Sequence, residues 1–445
     1  MATSVEAFIT SLDNRIDGII DACTMCGRCA EVCPTPAVLE IEETAPEALA
    51  TGVIDILKGA PHDEDAEAWA RACCGTGHCI DVCAEGINPR FMLTMARRRL
   101  NERADIKPRR DTGREMFQWM SRGVRMLSRL QMPTDVLARL NPPMKRATSE
   151  QKLEIIFYTG CNLLKTPHIG LLCLDVLDRL NVRYEVYGGP GNCCGVLQFR
   201  LGDTENAGRQ AIKTVERFQE TGAAEVLAWC PTCHIQFGEI AMPSMEPSKD
   251  PIFDMNMFPV YLHRHLDKLK VFMTTPVKKK VALFEFPGSL GVTEAVTSVL
   301  SAIPGIEVVD LGLKRAGYQL SALETMPEYR ARTVIEIFQA AEEQGVDSVC
   351  SVFHADHREL VSHDKAWPFD IINYMDLIGE SLGIVEEDIF KRLKTMQDVD
   401  AIVASSADTI AEHGMDLDEA RDAVMTYILE EQHVPIDRAA QAKLS

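Results

Sequence analysis

Four cysteines fall within one short stretch near the start of the chain, where Asp21 to Pro36 reads DACTMCGRCAEVCPTP. The spacing Cys23-x2-Cys26-x2-Cys29-x3-Cys33-Pro34 is that of a loop that wraps a 4Fe–4S cluster. A cubane needs thiolates at tetrahedral corners, and two-residue spacers let one tight loop present three of them. Gly27 is expected to relieve crowding where the backbone nears the sulfides. The fourth cysteine, followed by proline, turns away towards a second cluster. Zinc is the rival metal, but all-thiolate zinc sites usually draw their ligands from two separated pairs. A chain built on this loop must fold around metal as well as around apolar side chains.

The second cluster requires a second motif, and Arg71 to Arg90 supplies one: RACCGTGHCIDVCAEGINPR. Aligned on its last cysteines, Cys79-x3-Cys83 matches Cys29-x3-Cys33 and Cys73 matches Cys23. Thr76 then stands where the second cysteine belongs, and Ala84 replaces the proline. Cys73, Cys79 and Cys83 are the expected ligands of this half. Its cluster is either 3Fe–4S, with one corner lacking a thiolate, or 4Fe–4S completed by Cys74 or His78. If the fourth ligands cross, Cys83 completes the first cluster and Cys33 the second.

The chain has 445 residues, enough for two or three domains. Its 15 cysteines are clustered and far too few for a disulfide scaffold. The first twenty residues lack the apolar stretch of a secretory signal. A reducing, cytoplasmic compartment is therefore expected, where clustered thiols hold metal or do redox chemistry. No apolar run is long enough to span a membrane. The net charge of −20 argues against nucleic acid as a partner.

Helical periodicity is expected over Val5 to Ile20, Pro46 to Leu57, Asp63 to Ala72 and Pro89 to Leu100. Residues 1–100 thus read as an all-helical two-cluster module. Residues 101–150 form a basic helical linker, Arg90 to Glu150 carrying 15 basic against 6 acidic residues. A basic amphipathic helix at Gly113 to Leu130 suits packing on its own domains, a partner, or the face of a membrane.

From Leu153 strands and helices alternate. Apolar segments at Glu154–Tyr158, Arg183–Tyr187 and Glu225–Trp229, with helices between them, make a βαβαβ unit with a parallel sheet. Cys161, the adjacent pair Cys193 and Cys194, and Cys230-x2-Cys233 all fall where strands run out, the edge at which such sheets place ligands. Five thiolates in this order suit a larger or split cluster better than one simple cubane; a zinc site using four of them is the alternative. A second copy follows, with strands at Lys279–Phe286, Glu307–Leu311 and Asp347–Phe353. There His354-Ala355-Asp356-His357 takes the place of Cys230-Pro231-Thr232-Cys233. Cys350 and Cys173 read as core residues. The fold class is α+β multidomain: the helical ferredoxin-like module (1–100), the linker (101–150), an α/β repeat with its cysteines intact (151–275), and a second repeat without them, carrying an acidic helical tail (276–445).

The array of Cys161, Cys193, Cys194, Cys230 and Cys233 resembles the CCG domain of heterodisulfide reductase. The preceding pair of motifs resembles the separate ferredoxin-like polypeptide of the same enzyme. A single chain carrying both resembles the fused form, in which the two are joined. The iron–sulfur subunits of glycolate and lactate oxidases share the layout more distantly. The resemblance implies electron relay through two cubane-type clusters to a noncubane 4Fe–4S cluster that acts on a disulfide or thiol. It also implies a redox complex with a flavoprotein donor or acceptor. In the alternative reading the chain only carries electrons for a flavin-dependent dehydrogenase. His354 and His357 are the candidate catalytic residues, as proton donors to a departing thiolate; binding zinc with a distant third ligand is their other use.

Overall fold

The computed structural model describes residues 4–142, 153–245 and 253–444. The helical part opens with α1, Val5–Ala22, where the Ser4 side chain accepts from the Ala7 amide at 3.0 Å. Phe8, Leu12, Ile16 and Ile19 recur at helical spacing and form its buried face. α2 (Pro46–Lys58) begins on a proline and stops at the left-handed Gly59. α3 (Glu64–Ala72) and α4 (Pro89–Asn101) are capped by Asp63 and Asn88. α1 and α3 each end on a cysteine, Cys23 and Cys73, so helix ends deliver the first ligand of both motifs.

α5 spans Ile106–Gln131, starting earlier than the expected Gly113 because Pro108 sits in its first turn, where no helical hydrogen bond is lost. It is no free linker. Met120, Val124, Leu127 and Leu130 are buried, and Gly123 lets the Tyr427 ring approach so closely that a Cβ would lie 2.9 Å from it. The helix packs within the chain, one of the interactions expected of it. Pro143 and the rest of the expected linker to Glu150 lie outside the described residues.

The first α/β repeat runs β1 (Ile155–Gly160), α6 (Pro167–Arg179), β2 (Tyr184–Gly188), α7 (Thr204–Thr221), β3 (Glu225–Ala228), α8 (Pro231–Ile235), β4 (Asp254–Met257) and α9 (Phe258–Arg264). The second runs β5 (Lys279–Phe284), α10 (Val292–Ser301), β6 (Ile306–Val309), α11 (Pro327–Glu343), β7 (Ser348–Ser351), α12 (His354–Leu360), β8 (Asp370–Asn373) and α13 (Tyr374–Leu382). The strand orders are β2-β1-β3-β4 and β6-β5-β7-β8, parallel throughout. Strand β1 is buried along its whole length, as a parallel strand covered by helices on both faces must be.

The two repeats pack reciprocally. α6 lies against α13, and α9 lies against α10, so the first helix of each copy meets the last helix of the other. Trp229 after β3 stacks on Tyr374 with ring planes 1° apart. The tail, including α14 (Ile389–Met396) and α15 (Leu417–Val424), covers the second repeat and reaches α5. Among the described residues, no helix is long and apolar enough to cross a membrane.

Candidate functional site

The two N-terminal motifs fold alike. Gly27 and Gly77, both left-handed, each open a one-turn helix carrying Cys29 or Cys79. The role expected of Gly27 changes: a Cβ there would lie 2.6 Å from the backbone of Pro46 and Glu47, so it admits the start of α2. The fourth cysteines cross. Burial raises the Cys23 thiol, and Cys83 is among the thiols that add to this. Burial pushes Cys73 up to about 12, with Cys74 and Cys33 adding to it, and Cys79 is raised by burial beside Cys73 and Cys33. Cys29, up at about 12, lies with Cys23 and Cys26. One group is thus Cys23, Cys26, Cys29 and Cys83, and the other Cys33, Cys73 and Cys79.

Cys74 joins the second group. Its sulfur is buried 3.3 Å from Thr76 Oγ1, the position left without a cysteine, and it lines one small cavity with Cys33, Cys73 and Cys79. His78 is exposed. Thr76 is otherwise engaged: its Oγ1 accepts from the Gly317 amide at 2.7 Å, tying this loop to the second repeat.

The five cysteines of the first α/β repeat converge at the carboxyl edge of β1, β2 and β3, where the chain turns from one side of β1 to the other. Their thiols form a continuous row: Cys161 to Cys193, Cys193 to Cys194, Cys194 to Cys233 and Cys233 to Cys230. Accepting from Cys193 and Cys233, the Cys194 thiol is held below its ordinary value; so is Cys230, which accepts from Cys233. Gly195 N–H donates to Cys193 Sγ at 3.4 Å, and Asn162 Nδ2 to Cys161 Sγ at 3.7 Å. Gly195 is left-handed, and a Cβ there would lie 2.4 Å from the Ala207 carbonyl oxygen, so only glycine follows the cysteine pair. Five converging soft thiols, two of them approached by N–H donors, fit an iron–sulfur cluster.

All five open into one cavity of ≈ 370 Å³. Its far wall comes from Lys165, four residues after Cys161, and from elements remote in sequence: Trp119 of α5, His354 of α12, and Glu431 and His433 of the tail. The structure separates the two histidines. His354 lines the cavity, while His357 is turned to the other side of α12, with Nδ1 3.1 Å from Ser351 Oγ and Nε2 2.6 Å from Asp388 Oδ2. Both are buried in a helix rather than on the expected loop. Burial, with Arg358 and Lys165 close by, pushes His354 well below its ordinary value, so its imidazole is neutral. Burial also brings the Lys165 ammonium down to about 8, against the pull of Glu431 at 3.6 Å. Lys165 was missed in the sequence because a lone lysine at the start of a helix carries no pattern. The tail residues were missed because nothing local marks them.

A second cavity of ≈ 340 Å³ lies on the other side of this wall. It reaches Cys73 and shares Val196, Arg200, Thr232, Ser321 and Glu324 with the first. The second N-terminal motif and the five-cysteine site are therefore neighbours.

Family models described as "4Fe-4S binding domain" and "Cysteine-rich domain" (CCG) match residues 19–39 and 155–238. A polypeptide of the dihydromethanophenazine:CoB–CoM heterodisulfide reductase from Methanosarcina barkeri is 23% identical over 411 residues, 82% of this chain and 94% of that one. This is a heterodisulfide reductase-like iron–sulfur protein. The corresponding heterodisulfide reductase polypeptide of Methanosarcina acetivorans is 24% identical over 66% of this chain and 75% of its own length. A polypeptide of the anaerobic glycerol-3-phosphate dehydrogenase of Escherichia coli is 25% identical over 45% of this chain and 53% of its own. No solved structure matches. The chain is an iron–sulfur oxidoreductase of α+β architecture, similar to components of multisubunit reductases and dehydrogenases.

Proposed function

We propose that the chain takes electrons from a flavoprotein partner in the cytoplasm and reduces a disulfide, or runs that reaction in reverse on thiols. Cys23, Cys26, Cys29 and Cys83 would hold one cubane, and Cys33, Cys73, Cys79 and Cys74 the other. Cys161, Cys193, Cys194, Cys230 and Cys233 would hold a noncubane 4Fe–4S group. When bound, these groups supply one-electron carriers that end at the cavity. The expected domains at 1–100, 101–150, 151–275 and 276–445 are part of the same proposal. The observation that carries it is the ≈ 370 Å³ cavity that the five cysteines share with Lys165 and His354, room that a mere carrier of electrons does not need.

Cleaving a disulfide takes two electrons and two protons and releases two thiols. The second repeat lacks the cysteine set, so the electrons must arrive one at a time. The chain's own task is then to hold the half-reduced sulfur and protonate it. Lys165 is protonated at neutral pH and stands beside Cys161 with Glu431 as its counter-ion, which suits it to donate to a departing thiolate. His354, neutral and with Nδ1 free of any partner among the described residues, is placed to bind and orient the substrate sulfur. Trp119, half open to the cavity, offers an apolar face to the substrate.

The electron-carrier reading draws support from the glycerol-3-phosphate dehydrogenase similarity. EPR of the oxidised holoprotein, with and without a small thiol such as 2-mercaptoethanesulfonate, separates the two. A thiol-dependent change in the five-cysteine signal supports disulfide chemistry, and an unchanged spectrum at saturating thiol supports the carrier.

A further inference from the structure

Behind α12, on the face turned away from the cavity, His357 meets His168 of α6 and Asp388, the residue that caps α14. One ligand atom from each lies within 4.8 Å of the other two. Both histidines are buried, with side-chain exposures of 0%, and Asp388 is half-buried at 16%. The hydrogen bonding around them is incomplete in a particular way. Ser351 Oγ donates to the Ile372 carbonyl, so it accepts from His357 Nδ1. His357 Nε2 then presents a lone pair to Asp388 Oδ2 at 2.6 Å, two acceptors facing one another.

His168 makes no hydrogen bond with either ring nitrogen, although it is wholly enclosed. Its Nδ1 lies 3.4 Å from Asp388 Oδ1, and its Nε2 lies 3.8 Å from Asp376 Oδ1 of α13. A proton on His357 would satisfy Asp388 but leave His168 stranded. Lys391, the ammonium close by among the described residues, is taken up by Asp364 at 2.6 Å and the Ile371 carbonyl. Two carboxylates, Asp388 and Asp376, thus face two imidazoles with no free cation beside them among the described residues.

We propose that His168 Nδ1, His357 Nε2 and the Asp388 carboxylate bind one zinc ion. Two imidazoles and a carboxylate form a borderline donor set that suits zinc. His357 has the kind of outer partner that zinc-binding imidazoles use to fix the tautomer, Ser351 Oγ, and the Asp376 carboxylate stands 3.8 Å behind His168 Nε2. The charge of two carboxylates is cancelled. His168 belongs to the first repeat, His357 to the second and Asp388 to the tail that covers it, so the ion ties the repeats together directly behind the helix that presents His354. His354 is not a ligand. The site owes nothing to the iron–sulfur reading.

The test is metal analysis and zinc-edge X-ray absorption on holoprotein purified anaerobically without added metal. The expected result is one zinc per chain with only nitrogen and oxygen neighbours at about 2.0–2.2 Å. His168→Gln and Asp388→Asn should each lose the zinc while iron content and iron EPR stay as in the parent. Zinc absent from the parent, zinc with sulfur neighbours at about 2.3 Å, or zinc retained in both variants overturns the proposal. Should Asp388→Asn fail to fold, the thermal midpoint decides: a mild zinc chelator should lower it in the parent and leave it unmoved in His168→Gln. A midpoint unmoved in the parent counts against the site.

Discussion

At the scale of single residues, the informative side chains are those whose surroundings contradict their type. Lys165 is a lysine with 1% exposure in a cavity of thiols. With its value near 8 it is charged below that pH and can donate; above it the proton is gone. Turnover in the disulfide-reducing direction should therefore fall as pH rises through about 8. Lys165→Gln should lower turnover by about 10²-fold, the usual size of a lost acid, abolish that alkaline limb and leave iron unchanged. Steady-state rates across neutral and alkaline pH on both proteins check this. Cys74 is the second such residue, its sulfur lying against the oxygen that stands in place of a ligand. Cys74→Ser should turn the second cubane into a 3Fe–4S centre, visible by EPR in the oxidised protein. An unchanged spectrum would mean that Cys74 is only a buried thiol.

At the scale of elements, one buried carboxylate gathers several contacts to the tail. Glu359 of α12 accepts from His433 N at 2.9 Å, His433 Nδ1 at 2.8 Å and Arg330 Nη2 at 3.0 Å. Burial opposes its ionisation, yet the His433 contact and Arg330 hold it down at about 2. A depressed carboxylate contributes stability above its unfolded value and loses it as pH falls from about 4.5 to 2. The lowering corresponds to about 3 kcal/mol. Glu359→Gln should cost a similar amount at neutral pH, and the parent should lose that difference on acidification, both measured by urea unfolding. None of this latch was visible in the sequence, because its parts lie 29 and 74 residues from Glu359. What could be read were elements with a strong period or cap: α1, with Phe8, Leu12 and Ile16, and the first three strands of each repeat. Strands β4 and β8, DMNM and DIIN, are four residues long and half polar, too short for alternation to register. The His-x2-His segment reads as a loop by analogy with the cysteine pair it replaces, yet both are helix starts, at Pro231 and His354.

At the scale of the whole molecule, Arg90 joins three regions. Its guanidinium pairs with Glu239 of the first repeat, and Nη1 donates to Gly75 O in the second cysteine loop at 3.1 Å and to Gly288 O in the second repeat at 2.8 Å. Removing one partner of a buried pair typically costs about 3–5 kcal/mol. Arg90→Ala should lose that much stability, shed iron from the second cubane first and show unfolding in two steps by fluorescence and iron absorbance. Cysteine spacing alone announced that two motifs and a five-cysteine array existed. It could not show that they would be neighbours, because that depends on contacts Arg90 and Thr76 make with the second repeat, which cysteine spacing does not announce. Exposure also differs among the cysteines: Cys26 is open to solvent, Cys161 and Cys230 are half-buried, and Cys193, Cys194 and Cys233 are buried. Air would thus corrode this protein from its amino-terminal end inward, so a bleached preparation should surrender the outermost iron while the innermost keeps its colour.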